Sequence, residues 1–344
     1  MSAPPSSTTL AAVAPAGRPR AIVVLGVLVA AALASLALAL ATGSVGVGAA
    51  ALFHALVGDA ADGPSAIVRE LRLPRALAGF AVGGLLSVAG ALMQVLLRNP
   101  LADPYVLGIS GGAAVGALAV LFAGLAALVM PAAFAGAFFS TLIVFGLARA
   151  GGDHAPWTAT RLLLTGVVVA AGWGALIALL LTLAPDAQLR GMLFWLLGDL
   201  SAPPSPVPAL VLIAVVLAIA LAFARDMNVL TRGDDIAGAL GVEVPRVTLV
   251  LHAMAALATA AAVTTAGSIG FVGLIVPHAL RIVIGNDHRV LLPAAALAGG
   301  TLLVLADTLA RSIVAPVQLP VGVITALIGV PAFLYLLARS GIRA

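Results

Sequence analysis

Pro104–Ala148 runs for 45 residues without one charged side chain, and Ala21–Phe53 and Ala76–Leu97 add uncharged runs of 33 and 22 residues. A helix needs roughly 20 apolar residues to cross about 30 Å of hydrocarbon, so the longest run must hold two spans, divided near Pro131. Inside lipid, every backbone polar group must find its partner within the structure, which leaves helices and closed barrels. The apolar runs here are continuous rather than alternating, so a barrel is excluded. Of the 344 residues, 62% are hydrophobic and 9% charged, far from a soluble globular composition. The chain therefore reads as an all-α polytopic membrane protein.

Residues 1–17 are rich in Pro, Ser, Thr and Ala and read as a disordered cytoplasmic tail. Arg18 and Arg20 then precede a run too long for a secretory signal, which makes residues 21–42 an uncleaved first span. Further spans are expected near 76–97, 105–124, 130–149, 161–184, 206–224, 247–266, 271–285, 290–310 and 318–338, ten in all. With the amino terminus inside, arginines 18, 20, 98, 149, 161, 225, 232, 246, 281, 289, 339 and 343 fall on the cytoplasmic side. Arginines 69, 72, 75, 190 and 311 fall outside. Twelve against five is the asymmetry that orients membrane proteins, and an even span count leaves both termini in the cytoplasm.

Four segments interrupt the spans. Arg98–Gly116 carries two prolines, Asn99, Asp103 and four glycines, so no smooth helix continues through it. Irregular backbone there is tolerated only beside protein or a water-filled path, which suggests a substrate route. Gly267–Pro277 repeats glycine beside proline and reads as a short, broken helix. Gln188–Ser201 is too short to span and, with Met192, Phe194 and Trp195 beside Arg190 and Asp199, reads as an interfacial helix on the outer face. Arg225–Arg246 is the longest polar connection; Ile236 and Leu240, four apart, suit short amphipathic helices.

The chemistry available is narrow. All 17 basic residues are arginine, so the chain has no lysine for a Walker A phosphate loop or a Schiff base. Cysteine is absent, which removes disulfides and thiol chemistry. A net charge of +4, dispersed along the chain, gives no nucleic-acid footprint. The histidines are scattered, and no His, Asp or Glu cluster has metal-ligand spacing, so no catalytic or metal site is expected. Asp307 is the one acid inside a clear span; Arg311 at i+4 makes an ion pair its first expectation and a proton relay its second.

Two long stretches, RELRLPRALAGFAVGGLLSVAGALMQVLLRNPLADPYVLGISGGAAVGA and GSIGFVGLIVPHALRIVIGNDHRVLLPAAALAGGTLLVLADTLAR, closely resemble the FecCD/BtuC family. LPVGVITALIGVPAFLYLL resembles its last span. These are permease subunits of type II bacterial ABC importers for ferric siderophores, haem and cobalamin. The resemblance implies a BtuC-like fold of ten transmembrane helices in one permease domain, residues 18–344, in the bacterial inner membrane. It implies a homodimer in lipid, two cytoplasmic ATPase subunits that hold ATP and Mg, and a periplasmic binding protein, with no cofactor in this chain itself.

Carried over by position, Arg72 and Arg75 of RLPR, with Arg311, resemble the outward arginines that meet acids of the binding protein. Asn99 and Leu101 match the inner constriction and Thr160 a second one. Ala159 replaces a hydroxyl found in cobalamin-carrying members. Residues 226–243, with Arg232, Asp234, Asp235, Ile236, Leu240 and Gly241, resemble the segment that contacts the ATPase. An ion-coupled secondary transporter would need more intramembrane ionisable groups than Asp307, and a membrane enzyme lacks a paired acid and base.

Overall fold

The computed structural model describes residues 18–43, 47–48, 52–55, 63–149, 159–201 and 205–340. The expected tail 1–17 and the final residues 341–344 lie outside them. Among the described residues the regular structure is helical throughout.

The centre is α2 (Leu73–Leu96), which continues a rod that begins at Pro64 and passes through a π-helical stretch, Ile67–Arg72. An all-round apolar helix satisfies its surface only by burial, and α2 is buried along almost its whole length. Around it pack α10 (Val244–Ala266), α11 (Val272–Ile284) and α12 (His288–Ala310). Without a hydrophobic drive between helices in lipid, close approach of small residues supplies the attraction. A Cβ on Gly90 would stand 1.8 Å from the Gly273 carbonyl oxygen, and one on Gly83 would stand 2.2 Å from that of Gly299. Glycine is what lets α11 and α12 lie against α2.

The outer helices have the opposite pattern. α1 (Arg18–Ala41) packs on α12, while α3 (Ile109–Phe122), α4 (Val129–Arg149) and α5 (Ala159–Leu183) form a second group. Their outward faces expose Val23, Leu33, Phe138, Phe139, Leu164 and Val168, surface suited to hydrocarbon. α6 (Asp186–Leu196) is an eleven-residue helix within the segment expected at an interface. α7 (Val207–Ala222) bends by 60° into α8 (Ala224–Leu230); α9 (Asp234–Ala239) follows, and α13 (Val321–Ser340) closes the chain.

Among the described residues, seven helices are long and apolar enough to cross a membrane, or eight if the bent α7–α8 pair counts as one span. Of the ten expected spans, the two remaining ones are short: α3 and α11 have 14 and 13 residues. The reason is local. The span expected near 105–124 begins with a 3-10 turn, Pro104–Leu107, and a left-handed Gly108, so its helix starts only at Ile109. The span expected near 271–285 opens on Phe271, itself left-handed at φ 70°, after a non-helical run from Gly267.

Candidate functional site

α12 carries His288 at one end and Asp307 at the other, roughly 29 Å apart at 1.5 Å rise per residue. The functional residues gather at these two ends and at the broken backbone between them.

At the Asp307 end, three arginines converge. Arg75 lies in the first turn of α2, and its Nε donates to Asp307 Oδ2 at 2.9 Å while Nη2 donates to Oδ1 at 2.8 Å. Its Nη1 donates to Gln318 Oε1 at 2.9 Å. Arg72, one turn earlier, donates through Nη1 to the carbonyl oxygens of Leu40 and Ala41 at 2.8 and 3.1 Å. Those carbonyls end α1 and have no intrahelical partner, so a cation there also suits the helix dipole. Arg311 caps α12, donates to the Ala39 carbonyl oxygen and keeps its Nε 3.9 Å from Asp307 Oδ2. Burial pushes its guanidinium below the ordinary arginine value; Asp307 opposes that shift, and Arg75 and Arg72 add to it. All three line one recess of about 330 Å³ with Gly43, Ile67, Leu71, Ser201, Pro316 and Gln318. Three arginines against one acid leave the recess positively charged.

The ion pair expected between Asp307 and Arg311 therefore exists, but as the weaker contact. The close partner of Asp307 is Arg75, 232 residues away in sequence. The cue for that pairing was the isolation of Asp307 within an apolar run, which demands a buried cation from some other segment. Arg72 and Arg75 are only 5% and 9% exposed, so any acid that reaches them must enter the recess.

In the middle, the two glycine-rich segments meet. After α2 the chain turns at Arg98, in the left-handed region at φ 47°, and Asn99 Oδ1 accepts from the Leu101 N–H at 2.9 Å. Asp103 caps the 3-10 turn by accepting from the Tyr105 N–H at 2.8 Å. Desolvation pushes the Asp103 carboxyl up to about 6, against the opposing effect of that hydrogen bond. Tyr105 then reaches into the broken run before α11. Its hydroxyl donates to the Ile269 carbonyl oxygen and accepts from the Ile269 N–H, both at 3.0 Å. Ser110 and Ser268 pair beside it. The irregular backbone here is thus satisfied by a side chain of the facing irregular segment. Thr160 opens α5 and is exposed.

At the His288 end sits the polar segment. Ile236 and Leu240 are 49% and 64% exposed, and Gly241, left-handed at φ 82°, closes the turn after α9. Asp234 and Asp235 lie in the first turn of α9, where acids suit the helix dipole. Asp234 pairs with Arg98, which ties this segment to the turn that carries Asn99 and Leu101. Arg232 lies in the turn between α8 and α9. Neither this pair nor the contacts of Asn228 described below was readable from spacing.

Residues 26–339, nearly the whole chain, match the FecCD transport family. The chain belongs to that family. A cobalamin import permease of Halobacterium salinarum is 48% identical over 81% of this chain and 75% of its own length. A hemin transport permease of Yersinia pestis is 44% identical over 79% of this chain and 83% of its own length. Among solved structures, an inward-facing metal-chelate type ABC transporter superposes with a TM-score of 0.80, covering 92% of this chain and 99% of that one at 28% identity. FecCD members are transport permease subunits rather than enzymes, and this one is a multi-pass membrane protein.

Proposed function

We propose that the chain is the membrane subunit of an ABC importer that carries a bulky metal chelate (ferric siderophore, haem or cobalamin) from periplasm to cytoplasm. In this reading the seven long helices, the bent α7–α8 pair and the two short helices make ten crossings in one permease domain of the inner membrane, with both termini cytoplasmic. Two copies enclose the path, and two ATPase subunits supply ATP and Mg from the cytoplasmic side. The chain needs no cofactor of its own.

The observation that carries the reading is the separation of two unlike sites at the ends of α12 in a FecCD chain. A positively charged recess lined by Arg72, Arg75 and Arg311 stands at one end, suited to an acid of a binding protein. At the other, the exposed pair Ile236 and Leu240, flanked by Arg232, Asp234, Asp235 and Gly241, offers a small apolar ridge to an ATPase groove. Asn99, Leu101 and Thr160 would form the gate near that second end. An ion-coupled transporter is not favoured, because Asp307, the acid inside α12, is already engaged by Arg75.

The test is reconstitution with the cognate ATPase and binding protein. Two copies of this chain per two ATPases, by native mass, and ATP hydrolysis stimulated by the loaded binding protein would support the reading. A chain that neither binds an ATPase nor answers to a binding protein would end it.

A further inference from the structure

α8 is seven residues long and turns 60° away from α7 at Phe223. Three apolar side chains, Ala224, Met227 and Leu230, are buried on its inner face. Apolar contact is non-directional, so three such side chains hold a short helix in place without setting its angle. Hydrogen bonds do set an angle, and Asn228 supplies three. Its Oδ1 accepts from the His288 N–H at 3.0 Å and from His288 Nδ1 at 2.6 Å, and its Nδ2 donates to Asp287 Oδ1 at 2.9 Å. His288 is fully buried.

Capping α12 does not need this arrangement, since Asp287 already accepts from the Arg289 N–H at 3.1 Å. What Asn228 adds is a tie between two elements: the helix that leads into the coupling segment and the end of α12. Beyond α8, Thr231, Arg232 and Gly233 turn the chain directly into α9. Ile236 and Leu240 therefore take their direction from α8, with the Asp234–Arg98 pair as a second anchor.

We propose that Asn228 is the positioning residue that sets the angle at which the Ile236–Leu240 ridge meets the ATPase. It acts by fastening α8 to the Asp287–His288 end of α12. The inference rests on the reading of residues 226–243 as the coupling segment. It adds a residue of that segment that faces α12 and a route by which movement of the contact surface reaches a transmembrane helix.

The chemistry of the tie gives a restoring test in the full reconstituted complex, scored as chelate uptake per ATP hydrolysed. Asn228→Asp sets two carboxylates against each other where an amide now donates, which replaces the bond to Asp287 with a repulsion and weakens the tie, while both bonds from His288 still have an acceptor. Combining it with Asp287→Asn exchanges the groups, so that an amide donor again faces a carboxylate acceptor across the tie. The carboxylate introduced at position 228 would accept both bonds from His288 and one from the new amide at position 287; because Asp287 Oδ1 takes both the Asn228 amide and the Arg289 N–H, the exchange keeps the tie and gives up that cap. We expect the single variant to retain its ATPase but lose uptake per ATP at least about tenfold, the factor that about 1.4 kcal/mol commands. The exchange variant should return to within about twofold of the parent. Because the exchange would also repair a loss of stability, the deciding readout is uptake per ATP in single-variant complexes that still assemble and hydrolyse ATP. Normal coupling in Asn228→Asp, or an exchange variant as uncoupled as the single one, overturns the proposal. The Ile236→Asp/Leu240→Asp variant separates the two levels. If it uncouples while Asn228→Asp does not, only this inference fails; if it too couples normally, the coupling-segment reading fails with it.

Discussion

Removing either member of the Arg75–Asp307 pair leaves a charge stranded inside the bundle, and the two removals are not equivalent. The side chains are 10% and 6% exposed, with two close N–H···O contacts at 2.8 and 2.9 Å. Breaking a buried pair of this kind costs about 3–5 kcal/mol, because the survivor remains desolvated and unpaired. In Arg75→Ala, Asp307 still has Arg311 at 3.9 Å, and a small rotation could restore partial pairing. That variant belongs near the lower figure, about 3 kcal/mol. In Asp307→Ala, Arg75 and Arg311 face each other with no acid between them, which puts the loss near about 5 kcal/mol. Replacing both at once, Arg75→Met with Asp307→Leu, removes the charges together and should recover most of the loss. Equilibrium unfolding of the purified chain in mixed micelles, at fixed detergent composition, measures all three. If Arg75→Ala stays within about 1 kcal/mol of the parent, or if the double variant loses the sum of the singles, the pair is not the buried lock described here. The result bears on docking too: Arg72 and Arg75 both hold buried contacts, so a docking defect is assigned to the recess only in a variant that keeps parental stability.

Three further outcomes are expected. Tyr105→Phe removes the partner of both backbone groups of the buried Ile269, which should cost about 1–3 kcal/mol by the same unfolding assay; no change would mean that another group satisfies them. Gly90→Ala drives a Cβ into the Gly273 backbone, so α2 and α11 must part, at about 3 kcal/mol or more; a folded chain of parental stability would contradict that packing. Asp103, pushed up to about 6 from an unfolded value near ~4, binds more protons folded than unfolded between those values. Its contribution is therefore fully present below about 4 and is lost as pH rises through about 6. Asp103→Asn keeps the cap and should flatten that part of the stability–pH curve, whereas an unchanged slope would assign it to another group.

Hydropathy revealed the helical class and the long spans, because a membrane helix leaves some twenty apolar residues in a row. It could not mark where α3 and α11 begin, since apolar residues score alike in helix and in irregular backbone. Glycine and proline in Arg98–Gly116 and Gly267–Pro277 flagged those breaks. What they did not reveal is that the two segments complete each other through Tyr105 and Ile269, 164 residues apart. The same limit hid Arg75 from Asp307. Periodicity sees the i+4 neighbour Arg311 and is blind to a partner on another helix. The Asn228 tie escaped for a third reason: an asparagine beside a polar turn looks like solvated surface until the fold brings α12 to it.

The most direct measurement of the central claim uses proteoliposomes that contain this chain and its ATPase, with ATP inside the vesicles or withheld. Loaded binding protein is supplied at the periplasmic face, and haem, cobalamin and a ferric siderophore are offered in turn. Accumulation of one chelate that requires both ATP and the binding protein is the predicted result. Accumulation by the chain alone, driven by an imposed ion gradient and indifferent to ATP, would contradict the account.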